Sequence, residues 1–328
     1  MPQCGSHILW CDIPIRFDTY RGCSYGCLYC REHKKCRANN IPETNEGIKA
    51  LRNFIEGKRT HDTKWCDWNI PLQWGGVSDP FQPYELVKRL SYECLKAFAD
   101  SYYPVIITTK STLISRWDYL SILSQCNAVV QISMASEKYK GLEPYAPSFR
   151  DRLRQLAMLS CNVKRVIVRT QPYIRPIKRD VIANIKRYKD SGVHGLIVST
   201  ISLTSNPSKS PLEKGERGFV RHGDMWLYPE SEMYEDYSEI RQACHENKLK
   251  FYCADGRLRY LSDSPTCCGV DKLDGFKPNT ANLNHGKRVY TEKMQEIGTG
   301  EVFGNISRRE PYYSQCKQSS YMTCLENL

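Results

Sequence analysis

No apolar run in this 328-residue sequence approaches the roughly 18 residues that a membrane-spanning helix requires. The start, MPQCGSHILWCDIPIRFD, lacks the basic opening, apolar stretch and small-residue cleavage site of a secretory signal. No Gly-X-Y period or short internal repeat is present, and 20 Gly and 17 Pro are too few for a collagen-like or linker chain. Acidic residues are the minority charge, 36 Asp+Glu against 47 Lys+Arg, for a formal net charge of +11. Histidine is scarce at 7, and His33, His222 and His245 show no metal-ligand spacing. Membrane, collagenous and disordered classes are excluded. A cytoplasmic globular protein with no membrane partner is the expectation.

Cysteine, by contrast, is plentiful. There are 16, well above ordinary usage, in a chain long enough to bury a core without covalent staples. In a reducing compartment clustered thiols read as metal ligands rather than disulfides.

Up to about residue 203 short β-rich runs alternate with amphipathic helical patterns. The expected strands are 13–17, 70–74, 104–109, 128–134, 164–170 and 195–200, several of them continuous apolar runs such as VIITT and RVIVRT. Helices are expected over 46–57, 84–100, 115–123, 148–160 and 179–191, with Ser148 and Asp151 suiting a helix start. Repeated β-then-α units predict an α/β sheet or barrel. Residues 1–203 form its core in this reading. The stretch LTSNPSKSPLEKGERGFVRHGD opens a second region, 204–254, read as a loop insertion followed by the last helix (230–247) and strand (KLKFYCA) of the core. Residues 255–328 read as a small irregular Cys-containing C-terminal domain.

The sharpest motif is Cys23-Ser-Tyr-Gly-Cys27-Leu-Tyr-Cys30, directly after the first strand. Three thiolates on one loop can ligate three irons of a [4Fe–4S] cube and leave the fourth open, as a catalytic metal requires. A three-Cys zinc site with a distant fourth ligand is the plainer alternative.

At these residues the chain resembles the radical S-adenosylmethionine superfamily, whose signature is C-x3-C-x-aromatic-C. The resemblance implies a partial (β/α)6 TIM-like barrel with ligands at the strand C-termini. It also implies a [4Fe–4S] cluster on Cys23, Cys27 and Cys30, with S-adenosylmethionine on the open iron and Tyr29 against its adenine. Reduction would cleave the cosubstrate to a 5′-deoxyadenosyl radical that abstracts hydrogen from substrate. Further runs, Gly75-Gly76-Val77-Ser78-Asp79-Pro80-Phe81-Gln82-Pro83, Thr108-Thr109-Lys110-Ser111, Ser133 and Glu143-Pro144-Tyr145-Ala146-Pro147 leading to Arg152-Leu153, are similar to the spore photoproduct lyase branch. By that resemblance Ser78, Lys110 and Ser133 hold the amino-acid and ribose groups of the cosubstrate, and Gly75 and Gly76 admit its methionyl amino group. One departure stands out. Where the lyase carries a hydrogen-donating cysteine, two residues before the serine matching Ser78, this chain has Gly76, which implies a relative of the lyase with a different reaction.

Cys253, Cys267 and Cys268, with Cys244, Cys316 and Cys324 at hand, could ligate a second iron–sulfur cluster or a zinc, or be buried free thiols. Cys4, Cys11, Cys94, Cys126 and Cys161 read as core, and Cys36 lies close to the cluster loop. Basic residues gather at Arg31, Lys34, Lys35 and Arg37, around the fifth strand at Arg150, Arg152, Arg154, Lys164, Arg165 and Arg169, and beyond it at Arg175, Lys178 and Arg179. With Tyr25, Tyr173, Trp226 and Tyr228 they suit a nucleic acid strand or a flipped base. The expected activity is therefore radical chemistry on a nucleic acid or nucleotide, with an external flavodoxin- or ferredoxin-like one-electron donor. A peptide or small-metabolite substrate is the alternative among enzymes. A non-catalytic metal-stabilised nucleic-acid binder is the alternative outside them.

Overall fold

The structure is a computed structural model that describes residues 2–4, 13, 15–30, 46–60, 63, 71–203, 218–222, 225–264, 266–271 and 273. Cys11, His33, Cys36, Cys316, Cys324, the basic run Arg31 to Arg37 and residues 274–328 lie outside these.

In chain order the main elements are β1 (Gln3–Cys4), β2 (Ile15–Phe17), α1 (Glu46–Ile55), β3 (Leu72–Trp74), α2 (Glu85–Lys88), α3 (Leu90–Ser101), β4 (Val105–Thr109) and α4 (Trp117–Leu123). They continue with β5 (Ala128–Ser133), α5 (Phe149–Asn162), β6 (Arg165–Tyr173), α6 (Lys178–Asp190), β7 (Gly195–Thr200), β8 (Val220–His222), β9 (Met225–Leu227), α7 (Glu230–Glu246) and β10 (Lys250–Cys253). One sheet runs β1-β2-β3-β4-β5-β6-β7-β10, parallel throughout except for β1, which joins β2 antiparallel. Spatial order follows chain order with no switch point, so the sheet is wound in one sense, like a barrel, rather than doubly wound. Right-handed crossovers then place the helices on one face. This is the partial (β/α)6 barrel, extended at its edge by β10 as a seventh parallel strand.

Alternation along each strand divides the core in two. Val105, Ile107, Val130, Val168 and Val198 pack toward the helices. Ile106, Val129, Ile167, Ile197 and Tyr252 point to the concave face, where Ile13, Cys268, Val270 and Leu273 cover them. Each such side chain taken fully from water contributes about 1.5–3 kcal/mol. The covering segment approaches closely at Gly269, where φ is +69° and a Cβ would stand 2.0 Å from Ile167 Cδ1. Only glycine fits there.

Two expectations need correction. The single helix over 84–100 is two helices, broken at Arg89 with φ 51°. The buried Glu85 carboxylate accepts the Ser91 and Tyr92 amides at 2.9 and 2.8 Å, satisfying N–H groups that the start of α3 would otherwise leave without acceptors. The end of the expected loop insertion is also ordered. Val220–His222 pairs antiparallel with Met225–Leu227, and Leu203 bridges to Trp226. No helix among the described residues is long and apolar enough to cross a membrane.

Candidate active site

Because β2 to β5 are parallel, the segments after them meet at one end of the sheet. The cysteine loop follows β2, Gly75 to Ser78 follow β3, Lys110 follows β4, and Ser133 closes β5. The loop is fixed by Gln82, fully buried, which accepts the Ser24 amide and donates to the Gly22 carbonyl, both at 2.8 Å. The Leu28 amide donates to Leu142 at 2.9 Å, tying the loop to the segment that carries Glu143.

Glu143 is the hub that joins these strand ends. Its Oε2 accepts from Arg152 at 2.5 Å, and its Oε1 accepts from the Tyr29 hydroxyl and lies 3.1 Å from Lys110 Nζ. Burial pushes its pKa up, but Lys110 and Arg152 outweigh burial and, with the Tyr29 bond, hold it at about 2. Lys110 also donates to Ser133 Oγ at 2.6 Å, and its ammonium lies 5.7 Å from the Tyr29 ring centroid. Arg152 donates to the Ser133 carbonyl at 2.7 Å. Two cations and one carboxylate leave this group one positive charge in surplus.

Asp79 and Asp18 position the backbone of the remaining strand ends. Asp79 accepts from the Phe81 amide, the Thr109 hydroxyl and the Lys110 amide at 2.9, 2.7 and 2.6 Å. Asp18 accepts the Val77 and Ser78 amides at 3.0 and 2.9 Å, and burial raises its pKa to about 6. Gly75 has φ +87°, and a Cβ there would stand 2.3 Å from the Thr108 carbonyl oxygen. Gly76 differs: it is exposed, and a Cβ would reach only Arg16 Cδ at 3.4 Å and Gln73 at 3.7 Å. Ser78, buried, donates its hydroxyl to the Tyr20 carbonyl at 2.7 Å.

Thus Tyr29, Lys110 and Ser133 come together directly, while Ser78, Gly75 and Gly76 lie at the neighbouring strand end. Glu143, Arg152, Asp79, Asp18 and Gln82 are the residues that reading for ligands passed over. Glu143, Arg152, Asp79 and Gln82 stood inside the quoted runs, but the pairings of Glu143 span 9 to 114 positions, and Asp79 and Gln82 reach strand ends 30 to 60 positions away, with no spacing signal.

The C-terminal thiols divide across the sheet. Cys253 packs with the helix-facing core, whereas Cys268 belongs to the concave cluster, its Sγ 3.4 Å from that of Cys267. Cys94 and Cys126 are buried as expected, and Cys161 is exposed.

The charge reading changes too. Arg152 is buried on Glu143, Arg165 binds the Gly269 carbonyl and Asp271, and Arg175 and Lys178 pair with Asp236. Tyr25, Tyr173 and Tyr228 are buried, so they offer no open face for a base. These side chains hold the fold together instead.

The cysteine loop fits an iron–sulfur cluster in its donor chemistry. Burial raises the Cys23 thiol to about 12 and Cys27 to about 11, Cys23 senses Cys27, and Cys27 senses Cys30. Coordination as thiolates would relieve what burial denies these groups. Among the described residues no three His, Cys, Asp or Glu side chains are arranged to hold a single metal ion. A cube asks for a wider set, since each thiolate meets a different iron.

No family model matches the chain. A curated relative, an uncharacterized protein of Methanocaldococcus jannaschii, is 26% identical over 167 residues, which are 50% of this chain and 61% of that protein. The match therefore spans about three fifths of the relative's length. Among solved structures, spore photoproduct lyase complexed with dinucleoside spore photoproduct matches with a TM-score of 0.57 at 16% identity, over 74% of this chain and 76% of that one. A variant of that lyase with bound AdoMet and the same dinucleoside matches at 0.58 and 14%, with the same coverage. SuiB of Streptococcus suis bound to precursor peptide SuiA matches at 0.50 and 13%, over 74% of this chain and 49% of that one. The chain shares the fold of spore photoproduct lyase.

Proposed function

We propose that this protein is a radical S-adenosylmethionine enzyme acting on a nucleic acid or nucleotide. The observation that carries the reading is the meeting of the three-cysteine loop with Tyr29, Lys110, Ser133 and Glu143 at the strand C-termini of this fold. Cys23, Cys27 and Cys30 would hold a [4Fe–4S] cluster, and Tyr29, Gly75, Gly76, Ser78, Lys110 and Ser133 would hold S-adenosylmethionine. When bound, these groups supply a 5′-deoxyadenosyl radical for hydrogen abstraction.

The side chains suit those roles in their remaining hydrogen-bond capacity. Lys110 spends two of its three N–H bonds on Ser133 and Glu143, leaving one for a carboxylate. Ser133 accepts from Lys110 and keeps its own proton to donate. Ser78 donates to Tyr20 and keeps lone pairs to accept from an amino group. Glu143, ionised down to about pH 2, keeps Lys110 and Arg152 oriented. The surplus positive charge favours a carboxylate ligand.

An electron from a flavodoxin- or ferredoxin-like donor, in a reducing cytoplasm, completes the requirements. The likeness to the lyase solved with a dinucleoside supports the nucleotide reading, and the likeness to SuiB solved with a peptide supports a peptide as the second. Anaerobic reconstitution should load about four irons, with brown absorbance, and Cys27→Ala should lose them. About eight irons would assign a second cluster, with Cys253, Cys267 and Cys268 as candidates. One zinc and no iron would overturn the proposal. Nucleic acid binding that ignores salt, or is absent, would favour the peptide.

A further inference from the structure

The concave wall carries a cation that the cofactor reading does not use. Arg169 lies on β6 as the register partner of Ser133, on the same face, one strand away from the Lys110 group. Its Nε donates to the Gln171 side-chain oxygen and its NH1 to Gln131 Oε1 at 3.1 Å. Gln131 is fully buried and cannot turn. Its Oε1 also accepts from Thr108 at 3.2 Å, and its Nε2 donates to the Cys268 carbonyl at 3.0 Å, on the segment covering the barrel floor.

Among the described residues Arg169 therefore has two neutral acceptors and no carboxylate within ion-pair distance. A half-buried guanidinium is ordinarily matched by an acid. Five N–H donors less two leave three, on NH1 and NH2, at the open end of the fork. That end presents the planar, two-pronged geometry that a bidentate oxoanion fills. Arg16, whose stem lies beside Gly76, acts on the neighbouring Asp18 carboxylate, so Arg169 is the cation that carries the inference.

We propose that Arg169, aimed by Gln131 and Gln171, binds a substrate phosphate inside the barrel and so sets which substrate hydrogen lies near the cofactor. This rests on the nucleotide reading above and adds the group that is recognised. The phosphate is preferred to a peptide carboxylate because a strand passing through the barrel presents one at every nucleotide, whereas a peptide backbone presents none.

The test is equilibrium binding, by fluorescence anisotropy, of a labelled pentathymidylate and its neutral methylphosphonate-backbone counterpart. The wild-type protein should bind the charged strand about tenfold or more tightly than the neutral one. Arg169→Gln should lose most of that preference and lower the salt slope by about one. Arg169→Lys, which keeps charge but loses the fork, should retain part of the preference. Gln171→Ala should weaken it, and because Gln171 is exposed this variant is informative even if Arg169→Gln unfolds. A wild type that does not distinguish the strands, or an Arg169→Gln protein that keeps the preference, would overturn the proposal. So would equal competition by a pentapeptide bearing only its terminal carboxylate. Wild-type turnover of S-adenosylmethionine, assayed separately, reports on the cofactor reading alone, so the two can fail independently.

Discussion

Replacing Glu143 by Gln tests the electrostatic centre of the site with a change of one charge and almost no volume. The Glu143 and Arg152 side chains are 3% and 4% exposed and Lys110 is 14% exposed, so solvent screens their interactions little. A carboxyl brought from its ordinary 4.5 to about 2 contributes on the order of 3 kcal/mol to folding at neutral pH. The sign follows from protons bound. Between about pH 2 and 4.5 the unfolded chain holds more protons on this group than the folded one. Its contribution is thus complete above 4.5 and lost as pH falls through about 2. Gln imitates the protonated acid, so Glu143→Gln should be less stable than wild type by on the order of 3 kcal/mol at pH 7. That gap should narrow as pH drops below 4.5. Anaerobic urea unfolding of the metal-free proteins at several pH values measures it. Lys110→Met in the Glu143→Gln background removes one of the two stranded cations and should recover about 1–2 kcal/mol. A gap below about 0.5 kcal/mol at pH 7, or one that does not change with pH, would refute the reasoning.

Gly75→Ala should destabilise by more than about 2 kcal/mol, because φ is +87° and the Thr108 carbonyl stands in the way, whereas Gly76→Ala should change the urea midpoint little. His194, lowered to about 4 by burial and by nearby Arg165, should show that pKa in an NMR titration. Because the unfolded chain binds its proton first, His194 should cost stability as pH falls from about 6.5 to 4, and His194→Gln should remove that dependence. Tyr29→Phe deletes one bond to Glu143 and should cost about 1–2 kcal/mol in the metal-free protein, with a rise in the Glu143 pKa.

The fold was largely legible because parallel strands buried on both faces carry short apolar runs, as VIITT and RVIVRT do around VII and VIV. The gathering of Cys23, Gly75, Lys110 and Ser133 was legible too, since parallel order sends every strand C-terminus to one end. What escaped depends on pairing across distance. Glu143 unites Tyr29, Lys110 and Arg152 from three separate segments, and its flanking sequence resembles an ordinary turn. The break at Arg89 follows from Glu85 capping α3, a choice made by burial rather than helical periodicity. Arg152, Arg165, Arg175 and Lys178 proved structural because charge counts do not reveal the acids, such as Glu143 and Asp236, that meet them after folding.

The central claim is best tested by incubating the reconstituted protein anaerobically with dithionite and S-adenosylmethionine and following the nucleoside released. The wild type should release 5′-deoxyadenosine, and Cys27→Ala none. Iron-loaded wild-type protein that leaves S-adenosylmethionine intact under these conditions would contradict it.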